Sequence, residues 1–477
     1  MNVAIVGGGV GGMMTALLLA KRGVHVTIFE KNERLGGRLS FIERDGFRID
    51  AGPTIVLLPE KLRAFLSDVG IEEDEYELVS CDPMYTIHFA DGTSYTKYSD
   101  EKKQREEIRR VFPGEEERFV RFMRDMNTYF TTGERLILTK SFLNKKTFFT
   151  KETLALLSRM RAYQSVKTNV SRYFQDERLQ LAYSLQTLYI GGNPYATPSL
   201  YSLVSFSEHA HGVHYVKGGY ASLVSLLAKK LQQAGVTVHV QAPVERYRMN
   251  GAKVEALEVH GKEHRFDAVI MNIDEPTMMT KKRAWQPSSS CVLLYIGLGK
   301  MYDAPIHQFF LPPSFQQHME DVFVRQVVPS DPSFYTFYPS ALDRSLAPEG
   351  KSVLYVLIPV PASRDIDWTK QQDWLERMVD EVEKRAFPNM KQAIEWMHVR
   401  TPHDAWQEGL YGGGMFGIAP TLFQSGPFRP QVKSSLYENV YGVGASVHPG
   451  GGVPIVMQGA KLCTEQLLRD WSEQRWS

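Results

Sequence analysis

The chain has 477 residues, enough for two or three domains with sizeable cores, and its 43% hydrophobic and 23% charged residues mark a globular protein rather than a disordered one. A formal net charge of +1 offers no overall basic surface, which argues against nucleic acid as a partner. Cys81, Cys291 and Cys463 are widely spaced and form no C-x-x-C pair, and no run of about 18 uncharged apolar residues occurs, so the reading is a cytoplasmic protein without disulfide framework or membrane span.

Val3 to Val6 is a short apolar run rich in β-branched residues, as expected of a strand buried on both faces, and it feeds into Gly7-Gly8-Gly9-Val10-Gly11-Gly12. Gly7, Gly9 and Gly12 stand at G-x-G-x-x-G spacing: a tight turn, close approach to a pyrophosphate, and close packing of helix on strand. A helix follows over Met13 to Arg22 and stops at Gly23, and its N-terminal amides at Val10 and Gly11 favour negative charge. The second strand ends on Glu30, beside Lys31, where a carboxylate accepts hydrogen bonds from ribose hydroxyls. This fingerprint alone fits NAD and FAD equally.

Arg34-Leu35-Gly36-Gly37-Arg38 and Gly46-Phe47-Arg48-Ile49-Asp50-Ala51-Gly52-Pro53-Thr54 come next, then a helix opened by Pro59 and a solvated acidic cluster over residues 72–77. Tyr85 to Phe89 and Ser94 to Tyr98 flank Asp91-Gly92 and predict a hairpin, the start of a second domain. From Glu115 the pattern is helical. Between Arg135 and Arg172 nine Lys or Arg residues face a single Glu152, interleaved with Leu136, Ile137, Leu138, Phe142, Leu143, Phe148, Phe149, Leu154, Leu156, Leu157 and Met160. Basic groups among apolar anchors suit a lipid headgroup layer, each contributing ~1 kcal/mol near an anionic surface.

His209, His211 and His214 stand near one another, but Gly212 breaks the element that would aim them together and no metal is expected. Gly218-Gly219 opens an amphipathic helix through Leu231; Val236 to Val240, Val254 to Val259 and Ala268 to Asn272 then read as strands returning to the first sheet. Ser290 to Gly299 and Lys351 to Pro359 extend the second sheet, Asp367 to Ala386 is helical, and Gly442-Val443-Gly444-Ala445 makes a third visit to the first domain.

The motif Arg34 to Arg38 with Gly46 to Thr54 resembles the flavoprotein superfamily of amine oxidases, protoporphyrinogen oxidases and carotenoid desaturases. Gln186-Thr187-Leu188-Tyr189-Ile190-Gly191, Gly212 to Gly219, Asp331 to Tyr335, Ser345 to Lys351 and Gly444 to Val456 extend the likeness over essentially the whole chain. The chain is similar to the bacterial carotenoid (phytoene-type) desaturase family, most of all to its dehydrosqualene (4,4'-diapophytoene) desaturases. The resemblance implies an α/β fold with a Rossmann-type FAD-binding domain assembled from residues 1–80, 216–285 and 400–477. An α+β substrate domain then comprises 81–115 and 286–399, and a helical membrane-facing subdomain 116–215.

It further implies FAD held by Gly7, Gly9, Val10, Gly11, Gly12, Glu30 and Lys31, with Gly37 and Arg38 along the pyrophosphate. Gly52, Pro53 and Thr54 approach the flavin, Val244 contacts the adenine through its backbone, and Gly444, Ala445, Gly452, Val453 and Pro454 complete the site. The implied substrate is a linear polyene lipid, C30 or C40, bound by apolar burial at a peripheral membrane surface, the inner face of the cell membrane. Desaturation passes a hydride to flavin N5 and releases a proton, and quinone or oxygen takes the electrons onward. The allylic cation needs only a weak base, so no catalytic side chain is nominated; His448 is the titratable group to test, against a structural role closing the turn before Pro449. Val447 replaces the family's usual threonine, and the triple glycine 450–452 also occurs in terminal oxidases that convert end methyl groups to aldehydes. An apocarotenoid terminal-methyl oxidase is therefore the nearest alternative, and a non-catalytic prenyl or lipid escort a more distant one.

Overall fold

The computed structural model describes residues 1–281 and 284–474; residues 282, 283 and 475–477 of the predicted FAD-binding segments lie outside the described residues. A five-stranded parallel sheet has the order Val440–Gly442, Ala268–Met271, Asn2–Val6, His25–Phe29, Thr237–His239, and so draws its strands from three separated segments. Its central strand is buried from Val3 to Val6, and the helices Val10–Ala20 and Val453–Gln474 pack together over one face. Gly12 lies at the contact of the first helix with the first strand, where a Cβ would stand 2.4 Å from the Gly7 carbonyl oxygen.

Lys253–Val259 does not continue this sheet. It forms a separate antiparallel sheet with Val244–Asn250 and Lys262–Arg265, which covers the other face through Val254 and Leu257. Burial shows the difference: Ala268–Met271 is buried at every position, whereas Lys253–Val259 keeps partly exposed residues among buried ones, as a sheet with one wet face requires.

The second sheet has seven strands, in the order Ile394–Arg400, Ser290–Leu298, Ser352–Val360, Phe334–Phe337, His307–Phe310, Tyr85–His88, Ser94–Lys97. One face, with Val292, Leu294 and Ile296, packs on Trp374 and Met378 of helix Gln372–Arg385. The predicted helix from Asp367 is interrupted at Gln371, leaving a single turn at Trp368–Lys370 before the helix proper. The opposite face, with Leu293, Tyr335 and Tyr355, turns toward the helices Glu116–Gly133 and Ser202–His211.

Most of the apolar residues read as lipid anchors are core residues of this helical layer: Leu136, Ile137, Phe142, Phe148, Leu156 and Met160 are buried. Leu143, Phe149 and Leu154 remain exposed. Composition gave the charge excess correctly but could not separate the inner from the outer face of short, irregular helices. No helix among the described residues is long and apolar enough to cross a membrane.

Asp50 joins the two halves of the nucleotide domain. At the end of strand Phe47–Asp50 its carboxylate accepts hydrogen bonds from the amides of Tyr220 (2.9 Å) and Ala221 (2.8 Å), just before helix Ser222–Gln233. Burial pushes its carboxyl up to about 7, against the pull of those amides. Because the folded value exceeds the unfolded one, the Asp50 contribution is complete below about pH 4 and is lost as pH rises through the folded value. Denaturant midpoints at about pH 5 and about pH 8 check this: the stability difference between wild type and Asp50→Asn shrinks at the higher pH.

Candidate active site

A continuous cavity of ≈1330 Å³ runs from the glycine loop, past the Gly52 turn, to the gap between the second sheet and the helical layer. It exceeds the ~300–1,000 Å³ of an ordinary small-ligand pocket, as two ligands end to end would require. Every residue assigned above to the cofactor lines it except Gly12, which serves the helix–strand contact instead. Val244 lines it at the end nearest the glycine loop.

The first helix has no side-chain cap at Gly9 and no acidic residue in its first turn, so its N-terminal amides are free for an anion. Glu30 is buried and accepts hydrogen bonds from the amides of Gly8 (2.7 Å) and Asn32 (2.8 Å), which leaves carboxylate lone pairs for ribose hydroxyls. Lys31 lines the cavity, but its ammonium donates to the Glu408 carbonyl (2.6 Å), tying it to the 408–416 loop. Arg38 pairs with Asp274 at 2.7 Å, and its buried Nε has no partner. A Cβ at Gly52 would stand 1.9 Å from the Arg38 carbonyl oxygen, so bare backbone forms the wall there. The Ala51 carbonyl accepts a hydrogen bond from the Tyr295 hydroxyl (2.7 Å), which holds this turn. Gly444 and Gly452 have φ of +124° and +97°, and helix Val453–Gln474 starts at the cavity wall with the positive end of its dipole there. Uncapped amides, an orphaned guanidinium nitrogen and glycine walls fit FAD; when bound it would supply a two-electron, hydride-accepting ring.

Thr54 lines the cavity and shares a hydrogen bond with the Tyr335 hydroxyl (2.8 Å), which also bonds His307 Nδ1 (2.7 Å). Burial drives His307 down to about 3, so this wall is neutral. His448 is buried on the cavity wall, its Nε2 facing the carbonyls of Ile137 (3.2 Å) and Lys140 (2.9 Å). It thus ties the helical layer to the nucleotide domain. Away from the glycine loop the lining is largely apolar, with Leu188, Tyr189, Leu200, Phe309 and Leu357 among it.

Asp274 escaped sequence reading. It accepts hydrogen bonds from Ser446 Oγ (2.8 Å) and the Tyr411 amide (3.2 Å) in addition to its pair with Arg38. Its signal was position: it lies just past strand Ala268–Met271, and parallel sheets bind ligands beyond the carboxyl ends of their strands. Arg429, Leu422 and Phe423 also line the cavity from a loop that carries no periodic pattern. His209 bonds the Tyr98 carbonyl through Nδ1 (2.9 Å), and among the described residues no cluster of His, Cys, Asp or Glu could hold a metal.

A family model described as flavin containing amine oxidoreductase matches residues 10–468. A 4,4'-diapolycopen-4-al dehydrogenase of Metabacillus indicus is 54% identical, covering 98% of this chain and 97% of its own. A zeta-carotene-forming phytoene desaturase of Myxococcus xanthus is 34% identical over 98% and 94% of the two chains. A 4,4'-diapophytoene desaturase (4,4'-diaponeurosporene-forming) of Staphylococcus haemolyticus is 32% identical over 98% and 99%. Among solved structures, an oxidoreductase from Methanosarcina mazei superposes with a TM-score of 0.65 at 16% identity, over 98% of this chain and 100% of that one. Cyclohexylamine oxidase from Brevibacterium oxydans gives 0.61 at 16% identity over 99% of each, a likeness of fold.

Titration of apoprotein with FAD, followed by flavin fluorescence, tests the cofactor wall. Glu30→Gln raises the dissociation constant by about tenfold, equivalent to about 1.4 kcal/mol. Gly52→Ala abolishes binding, because the added Cβ displaces the Arg38 backbone at the cavity wall.

Proposed function

Since the chain belongs to the flavin-containing amine oxidoreductase family, in its bacterial carotenoid-desaturase branch, we propose that it oxidises the aldehyde end of a linear C30 carotenoid to the acid. It is an FAD-dependent oxidoreductase, which sets aside the lipid-escort alternative. The observation that carries the proposal is the 54% identity to a 4,4'-diapolycopen-4-al dehydrogenase over nearly both whole chains, against 32% and 34% for desaturases. The reaction balances with one aldehyde, one water and oxidised flavin giving one acid and reduced flavin, whose electrons pass to quinone or oxygen.

This chain's own residues bind and orient. The apolar walls take the polyene by burial at roughly 25 cal/mol per Å² and present one end of it to the turn at Gly52 to Thr54. A second reading, desaturation of the C30 hydrocarbon itself, is supported by the same apolar walls and by the desaturase relatives.

Substrate entry is proposed from a membrane surface. Phe149 and Phe423, 46% and 65% exposed, both line the cavity, so the cavity reaches the surface between them. Phe428 joins them, with ring centroids 6.3 Å from Phe149 and 5.8 Å from Phe423, and the Lys145 ammonium lies 5.5 Å from the Phe428 ring. An aromatic mouth rimmed by lysine suits an anionic leaflet.

Purified FAD-loaded protein given the C30 aldehyde yields a product that has gained one oxygen by mass. Loss of hydrogens in pairs from the C30 hydrocarbon, with the aldehyde untouched, would establish the second reading. Cosedimentation with vesicles containing anionic lipid falls severalfold for the Phe149→Ser, Phe423→Ser double variant while its FAD content stays at the wild-type level.

A further inference from the structure

One short stretch of chain, Glu408 to Tyr411, joins two walls of the cavity. Lys31, two residues past strand His25–Phe29 and next to Glu30, lines the cavity, and so do Glu408, Gly409 and Leu410. The Lys31 ammonium donates to the Glu408 carbonyl (2.6 Å), and a Cβ at Gly409 would stand 3.2 Å from the same nitrogen. The Glu408 carboxylate accepts from Arg400 Nε (2.9 Å) and Nη2, and Arg400 belongs to the edge strand Ile394–Arg400 of the second sheet. A third contact comes from the Tyr411 amide, which donates to Asp274 (3.2 Å).

The chain on either side of this stretch is fastened. Helix Pro402–Gln407 opens on a capping box in which the Thr401 and Asp404 side chains each accept from the other's amide. Beyond it the Met415 amide donates to the Ser289 carbonyl (3.1 Å) and the Phe416 amide to Ser288 Oγ (3.0 Å). In between, Gly409 and Gly412 have φ of +81° and +62°, so Leu410 and Tyr411 stand between two residues whose backbone turns at little cost. The contacts that hold the stretch in place from the surface are weak ones. Lys31 is exposed and the Glu408 side chain is 52% exposed, and polar pairs in such surroundings contribute little. Weak polar latches on a segment with glycine hinges suit a lid that opens and recloses.

We propose that Glu408 to Tyr411 form a strap over the nucleotide part of the FAD site, and that the dinucleotide enters and leaves by the opening of this strap, apart from the aromatic mouth proposed above for lipid. The strap is bonded to the residue next to Glu30, whose carboxylate meets the Gly8 amide of the glycine loop, close to the uncapped start of the first helix. The lining away from the glycine loop is largely apolar and offers a charged pyrophosphate nothing in exchange for its water. Lys31, Arg400 and Glu408 are positioning residues: they act on the cofactor through the strap.

Stopped-flow flavin fluorescence tests this without turnover, by measuring uptake of FAD by the apoprotein and its release from the loaded protein into an excess of a second FAD-binding apoprotein. Lys31→Met keeps the stem and removes the latch. Uptake and release then both quicken by about fivefold, the size an exposed polar contact allows, while the dissociation constant stays within about twofold. Loss of a positive charge alone would slow the uptake of an anionic dinucleotide, so faster uptake reads the strap and not the field. Lys31→Arg, with donor and charge intact, keeps the wild-type rates; Glu408→Gln quickens both steps; the Phe149→Ser, Phe423→Ser double variant changes neither. Uptake that is slower or unchanged in Lys31→Met overturns the strap, and with faster release it makes Lys31 an ordinary cofactor ligand. Faster exchange in the mouth variant overturns it as well, by placing the passage there.

Discussion

One carboxylate holds the nucleotide domain together beside the cavity. Asp274 receives the Arg38 guanidinium from the first chain segment and Ser446 Oγ and the Tyr411 amide from the third, while itself belonging to the second. With Asp274 6% and Arg38 34% exposed at the side chain, the pair is largely shielded from water. Breaking such a pair by removing one partner is far more costly than its net contribution, because the remaining charge is left buried. The three segments meet at this point, so the backbone of the Gly52 turn, the glycine loop and the start of the last helix are set relative to one another by it.

The second sheet divides the labour between its two faces. Val292, Leu294 and Ile296 pack on the amphipathic helix Gln372–Arg385 and are plain core. Their neighbours Cys291 and Leu293 on the same strand face the cavity, together with Tyr335, Tyr355 and Leu357. The period of two in a strand thus turns one continuous apolar run into both a core and a cavity wall. Neutral side chains dominate that wall: the Thr54, Tyr335 and His307 group is closed on itself by hydrogen bonds, so it adds polarity without charge.

The helical layer is a packed part of the cavity wall. Its buried residues, Phe142 and Phe148 among them, pack toward the nucleotide domain, where the Phe142 ring meets His448 and the Phe148 ring lies against Gly426. Of its exposed apolar residues, Phe149 lies beside Phe428 of the C-terminal segment, which in turn meets Phe423. Basic charge across residues 135–172 is partly internal as well, since Arg135 pairs with Glu152.

What was legible in the sequence was local. The strand, glycine loop and helix over Asn2 to Ala20, the acidic Glu30, the Asp91-Gly92 hairpin and the all-apolar strands of both sheets each follow from neighbours in the chain, where spacing and side-chain type suffice. The parallel sheet does not include Lys253–Val259, because a short strand pattern does not state its partner. Asp274 and the carbonyls that His448 faces lie far in sequence from their partners, and Phe428 meets Phe149 of the helical layer across a long stretch of chain. By itself the sequence determined the cofactor loop and the elements that carry it, since those obey short-range geometry. Only the tertiary structure decided which side chains line the cavity, because that depends on the packing of three chain segments against it.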